Sequence, residues 1–250
     1  MRRTINITIF LCLLSKLGVC ELFERLDSTF RQNITNNNFK KSIADLISDK
    51  TLTKSCEEIS RDIEFNCKQA FYSVSQECYE FQIYLVMRND TIVLGKLEEL
   101  DYFHDRKIIK SKTFKLQTKI IDLYLWEYFT YYETKISRAT FVREMTSIDK
   151  YGFGCGLHRS FFPQSAKKTK RYVYNKNYKK LSNMLVSVVP ERKAYATKGL
   201  IQLEKAGIQI KEKEKKIINH YKNQNFSVYA CNGCLSGPQS LQSVLEWEWR

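Results

Sequence analysis

The chain has 250 residues, a formal net charge of +14, and 27% charged against 43% hydrophobic residues. That length suffices for one sizeable core with a satellite, and beyond the N-terminus charges recur too often for any segment to be a membrane-spanning helix. The excess charge is concentrated: Arg159 to Lys222 holds 17 Lys and Arg against 4 Glu and no Asp, a local +13 (17 minus 4), which leaves about +1 for the rest.

The N-terminus reads Met1-Arg2-Arg3, an apolar run from Ile5 to Leu14, then Gly18-Val19-Cys20. A basic start, a short apolar stretch and small residues before a cut are the pattern of a secretory signal, so residues 1–20 are expected to be removed and the protein to be secreted. Six cysteines remain, an even number in an oxidising compartment, which favours disulfides over thiols. Asn33-Ile-Thr35, Asn89-Asp-Thr91 and Asn225-Phe-Ser227 are sequons, so Asn33, Asn89 and Asn225 are candidate glycan acceptors on surface connections.

Residues 21–150 read as a helical core. Gly95 is the sole glycine between residues 21 and 151, and the whole chain has 3 prolines, too little turn punctuation for a many-stranded sandwich. Glu21 to Arg31 and Phe39 to Ile47 suit short helices. Ser55 and Glu58 form a capping-box signature at the head of a cysteine helix, 55–88. Along it Cys56, Ile59, Ile63, Cys67, Phe71, Val74, Cys78, Phe81 and Leu85 recur every three or four residues.

The three cysteines are spaced eleven apart, which on a helix is about 1100°, or about 20° past three turns, so they share one face. Neighbouring ones are then about 16.5 Å apart, too far for a disulfide that needs Cα atoms within roughly 7 Å. The expected staple therefore joins Cys56, Cys67 and Cys78 to Cys155, Cys231 and Cys234. The competing arrangement closes Cys231 on Cys234.

Residues 91–104 and 136–148 also suit helices, and Phe114 to Tyr132 suits a buried helix or a minor strand. From Lys150 to about Asn177 glycines, a proline and clustered charge mark a loop, the main part of a Gly/basic segment at 151–190. Within 191–250 a basic helix from Pro190-Glu191 to about Lys222 precedes Cys231-Asn-Gly-Cys234 and a short amphipathic piece, Leu241 to Trp249. The expected fold class is mainly α, a disulfide-stapled helical bundle.

Cys155-Gly-Leu-His158 with Cys231-x-x-Cys234 has four-ligand zinc spacing, but a zinc site there would take every partner from the helix cysteines, and no metal or other cofactor is expected. Tyr151-Gly-Phe-Gly-Cys155-Gly156 resembles the start of the calcium loop of secreted phospholipases A2. The resemblance implies carbonyl ligation of calcium and a lipid-active or hydrolytic enzyme as the alternative function. It covers six residues, and the family's Cys-Cys-x-x-His-Asp helix does not follow, so no catalytic residue is carried over. No H-E-x-x-H, G-x-S-x-G, phosphate-loop or EF-hand motif is present.

Lys167, Lys168, Lys170 and Arg171 form the densest basic cluster, placed in the expected loop. They suit contact with an anionic extracellular partner, such as a sulfated glycan, an acidic receptor surface or an anionic lipid, with nucleic acid not expected. The same run suits cleavage of a precursor after Arg171. The expected function is a secreted binding or signalling protein rather than an enzyme.

Overall fold

The structure is a computed structural model that describes residues 23–32, 38, 39, 41, 45, 57–76, 79–101, 106–156, 161–223 and 227–247. It is 48% helical and 32% strand, which corrects the expectation of a mainly α bundle. The chain divides into two compact units, one of residues 1–58 and 70–118, the other of 59–69 and 119–250.

The cysteine helix does not form. Residues 57–88 instead make β1 (Glu57–Ile63), β2 (Cys67–Gln76) and β3 (Tyr79–Arg88), followed by β4 (Thr91–Asp101) and β5 (Lys107–Leu116). They lie in sequence order as an antiparallel meander. The physical reason is legible in β3, where Glu80-Phe81-Gln82-Ile83-Tyr84-Leu85 alternates polar and apolar residues with the period of two that a pleated strand requires. The segment 91–104, expected as helix, is largely β4.

Among the described residues, two tight turns join strands without glycine. Phe65 and Asn66 have φ of 57° and 56°, and Asn89 and Asp90 have 49° and 60°, the left-handed values that match the twist of a tight hairpin. Asn and Asp tolerate this region, whereas for a bulky Phe it is strained. The counterpart at Phe65 is its ring, which meets Tyr124 edge-on at 5.3 Å and Tyr132 at 6.5 Å.

In the first unit, one sheet face buries Phe81, Ile83, Leu85 and Phe114 against Phe23, Leu26, Phe30 and Phe39. The helical stretch 23–32 (α1) supplies three of these, and Lys112 of β5 anchors it through Asp27 at 2.6 Å. Glu80, Gln82 and Tyr84, on alternate residues of β3, carry a polar network: Ser73 donates to Glu80 (2.8 Å), Gln82 to Glu80 (2.8 Å) and Tyr84 to Gln82 (2.5 Å).

The second unit contains α2 (Thr118–Tyr132), α3 (Arg138–Met145), α4 (Gln164–Tyr174), α5 (Tyr178–Leu185), α6 (Pro190–Lys205), α7 (Glu212–Asn223), the hairpin β6 (Ser227–Asn232) and β7 (Leu235–Ser240), and α8 (Leu241–Glu246). Thus 114–132 is mostly helical, 136–148 contains a helix, and the expected loop after Lys150 is replaced from Gln164 by α4. Its side of apolar and small residues explains why: Ser165, Ala166 and Thr169 are buried at helical spacing. The expected helix from Pro190 to Lys222 is divided at Gly207, whose φ of 84° lets its N–H reach Glu204 and the next N–H reach Leu203, closing α6.

Candidate functional site

Two concentrations of charge stand out in the second unit, one buried and one exposed. The buried one is built on the β1–β2 turn and the first turn of α6. Arg61 donates to Glu191, and also to Gln69 Oε1 from Nε at 2.8 Å, while Gln69 Nε2 donates to the Met145 carbonyl at 2.8 Å. Glu191 in turn accepts the backbone N–H of Tyr229 at 2.7 Å. Burial pushes the Arg61 guanidinium down to about 9, with Asp149 opposing, so it stays charged at neutral pH.

Beside it, Glu64 accepts from Tyr132 Oη and Lys193 Nζ, and His220 Nε2 lies 3.9 Å from the same carboxylate. Lys193 Nζ sits over the rings of Tyr221 (4.6 Å), Tyr132 (5.0 Å) and Tyr128 (5.7 Å). Burial lowers its pKa, with Glu64 opposing, and burial raises those of all three tyrosines. The cavity that Glu64 and Lys193 line with Ile63, Val188 and Tyr221 measures about 10 Å³. That is room for about one water, against the roughly 300–1,000 Å³ of ligand pockets. The cluster therefore fastens the hairpin turn to α6, and its size excludes a substrate.

The exposed concentration is the α4–α5 helical hairpin. From residue 150 to 190 the chain has no Asp or Glu. Lys167, Lys168 and Arg171 on α4, Lys176 in the connection, and Lys179 and Lys180 on α5 are all exposed, and among the described residues no carboxylate pairs with any of the six. Several cations elsewhere in the unit are paired: Arg192 with Glu144 at 3.0 Å, Arg138 with Asp122 at 2.6 Å and Lys213 with Glu133 at 3.3 Å. Lys179 and Lys180 occupy the first turn of α5, which has no acidic residue, so they oppose the helix dipole instead of complementing it. Tyr174, 87% exposed, ends the α4 side of this surface.

Of the four basic residues singled out from sequence, Lys167, Lys168 and Arg171 face solvent. Lys170 is half-buried above Phe162 (5.0 Å) and Phe153 (6.0 Å) and helps seat α4. All four are helical, not in a loop. Arg171 lies inside α4, and a processing protease that reads an extended segment would first have to unwind it.

The Gly/Cys segment also differs from its expectations. Cys155 bonds to Cys231, with Cα atoms 5.4 Å apart, so the staple of Cys56, Cys67 and Cys78 onto the three later cysteines does not form, and Cys231 does not close on Cys234. The reason is local pairing: Tyr151 bridges to Ala230, and Cys155 to Gly233, laying the segment beside β6. Cys67 is buried in β2 and Cys234 is exposed with no disulfide partner. Cys56, Cys78, His158, Asn33 and Asn225 lie outside the described residues, and Asn89 is exposed in its hairpin turn.

A calcium loop needs free carbonyls. Here those of Tyr151, Gly152, Gly154 and Cys155 accept from Cys231 N (2.7 Å), Tyr195 Oη (2.9 Å), Gly233 N (2.8 Å) and Phe161 N (2.9 Å). Gly152 is required by close approach, since a Cβ there would lie 2.3 Å from the Cys231 carbonyl oxygen and within 3 Å of both bridge sulfurs. The six residues form a bridge-bearing turn.

No family model, curated protein or solved structure matches the chain. Among the described residues, no helix is long and apolar enough to cross a membrane.

Proposed function

We propose that the protein is an exported binding protein whose α4–α5 hairpin contacts a sulfated polyanion. The observation that carries this reading is the set of six exposed cations on a helical hairpin, none paired with a carboxylate among the described residues, in a stretch of sequence that contains no carboxylate. Like charges held this close repel one another, and a polyanion relieves that repulsion for several at once. Export is supported by the N-terminal pattern and by the Cys155–Cys231 bridge, a bond that oxidising compartments preserve.

Heparin chromatography tests it. Reversing Lys167, Lys168 and Arg171 to Glu is expected to lower the eluting salt concentration sharply. Reversing the exposed Lys107, Lys205 and Lys222 changes net charge equally and is expected to have much less effect. Equal shifts for the two triples would reduce the attraction to net charge and remove the assignment to the hairpin.

A further inference from the structure

Helix α2 is apolar on two sides. Ile121, Tyr124, Tyr128 and Tyr132 are buried, a stripe at three- and four-residue spacing that makes the helix part of its unit's core. On another side Leu123, Trp126 and Phe129 follow at intervals of three and stand 47%, 62% and 41% exposed. A surface helix ordinarily turns polar residues to water there, and a contiguous exposed apolar stripe marks an interaction site.

The charges around the stripe are also resolved. Asp122 is held by Arg138 through two guanidinium nitrogens, at 3.1 Å from Nε and 2.6 Å from Nη2, and Glu133 is paired with Lys213 at 3.3 Å. Lys119, exposed in the first turn, and Lys135, 5.5 Å above the Phe129 ring, add two positive charges, and the half-buried Glu127 of the same helix adds one negative charge, a local net of about +1.

Area decides between occupants. At these exposures three large side chains offer on the order of 300 Å², well short of the roughly 800 Å² per partner of a stable protein interface. A bilayer sets no such minimum. It accepts a few side chains to the headgroup level, where Trp partitions readily, provided a second, electrostatic attraction assists. Lys119 and Lys135 on a chain of net charge +14 supply that attraction.

We infer that the Leu123–Trp126–Phe129 face of α2 inserts into the interface of an anionic lipid bilayer. This site is separate in its residues from the α4–α5 surface and does not depend on that reading.

The experiment is co-sedimentation of the full chain with vesicles of phosphatidylcholine alone or with one-third phosphatidylserine added, with tryptophan quenching by brominated lipid. The wild type is expected to bind the phosphatidylserine vesicles preferentially and to be quenched. The Trp126→Ser/Phe129→Ser variant is expected to bind about tenfold more weakly or worse and to lose the quenching, while Trp247 still reports on its fold. Trp126→Phe, which keeps the apolar surface, is expected to retain most of the binding.

Three results would each overturn the inference. One is no vesicle binding by the wild type. Another is unchanged binding by the double variant with loss only in the Lys167/Lys168/Arg171 reversal, which would make the attraction electrostatic and place it on α4–α5. The third is micromolar self-association abolished by Trp126→Ser, which would give the face to a second copy of the chain.

Discussion

Glu64 and Lys193, 129 residues apart in the chain, form an ion pair almost wholly withdrawn from water, with three tyrosine rings around the ammonium group. Such a pair is weak evidence of net stabilisation, because desolvation of both charges offsets much of their attraction. Removing one member is another matter. Lys193→Met strands a buried carboxylate and is expected to cost about 3–5 kcal/mol in urea denaturation. In the Glu64→Leu/Lys193→Met double variant neither charge remains, and its loss is expected to be well below the sum of the single losses.

The same cluster predicts a dependence on pH. His220 faces Glu64, Lys193 and the rings of Tyr131 and Tyr221. Burial lowers its pKa first of all, with Glu64 opposing and Lys193 adding to the fall. A histidine that protonates less readily when folded contributes stability that is full above its unfolded value of about 6.5. That contribution is lost as pH falls through this value toward the folded one. The urea midpoint is therefore expected to drop between pH 7.5 and 5.5, and to drop less in His220→Gln. Equal drops in both proteins would assign the effect to other groups.

Peptide mapping without reduction is expected to recover residue 155 linked to residue 231. Cys231→Ser should cost about 2–5 kcal/mol, the usual effect of losing a native bridge. Gly152→Ala keeps both cysteines, yet its methyl group would overlap the Cys231 carbonyl and the sulfurs. It is expected to be destabilising in the oxidised protein, and reduction of the bridge should narrow its difference from the wild type.

At the β3–β4 turn, Asp90 holds a φ of 60°. Asp90→Gly creates the Asn-Gly pair that such turns favour and should raise stability by about 0.5–1 kcal/mol. A calorimetric melt checks this, and a lower midpoint would mean that the Asp90 side chain contributes more than its backbone strain costs.

The sequence supports the helices after residue 118 far better than the sheet before it. Tyr124, Tyr128 and Tyr132, Leu200 and Leu203, and Ile217 and Tyr221 carry helical spacing on segments that are helical, and Pro190 stands at the first position of α6. The sheet was obscured by two coincidences. Eleven residues are about three helical turns, but also close to the length of a strand with its turn: β1 and the turn at 64–66 lead directly to Cys67, which opens β2. The turns also lack the expected glycines, because Phe65-Asn66 and Asn89-Asp90 take left-handed conformations themselves. Alternation in β3 was the signal that separates the two readings.

For the candidate surface, charge counting identified the region but not its form. Lys167, Lys168, Lys170 and Arg171 look alike in sequence, and only the burial of Ser165, Ala166 and Thr169 fixes the helical phase that turns Lys170 onto Phe153 and Phe162. The Glu64–Lys193 cluster has no local motif at all. Glu64 and Lys193 were ordinary surface-type residues until the fold placed them together. A charged residue beside a strained aromatic turn is the nearest thing to a local sign.

The assignment of residues 59–69 to the second unit bears on synthesis. A ribosome delivers this hairpin tip early, with Arg61 and Glu64 still hydrated, and the Glu191 and Lys193 that complete their pairs emerge about 130 residues later. Unit two thus cannot be obtained as a contiguous fragment: 119–250 alone would carry two orphaned charges in its interior. Added in trans, a peptide spanning the hairpin would be its missing structural piece, and assembly of the two fragments would be governed by concentration instead of chain connectivity.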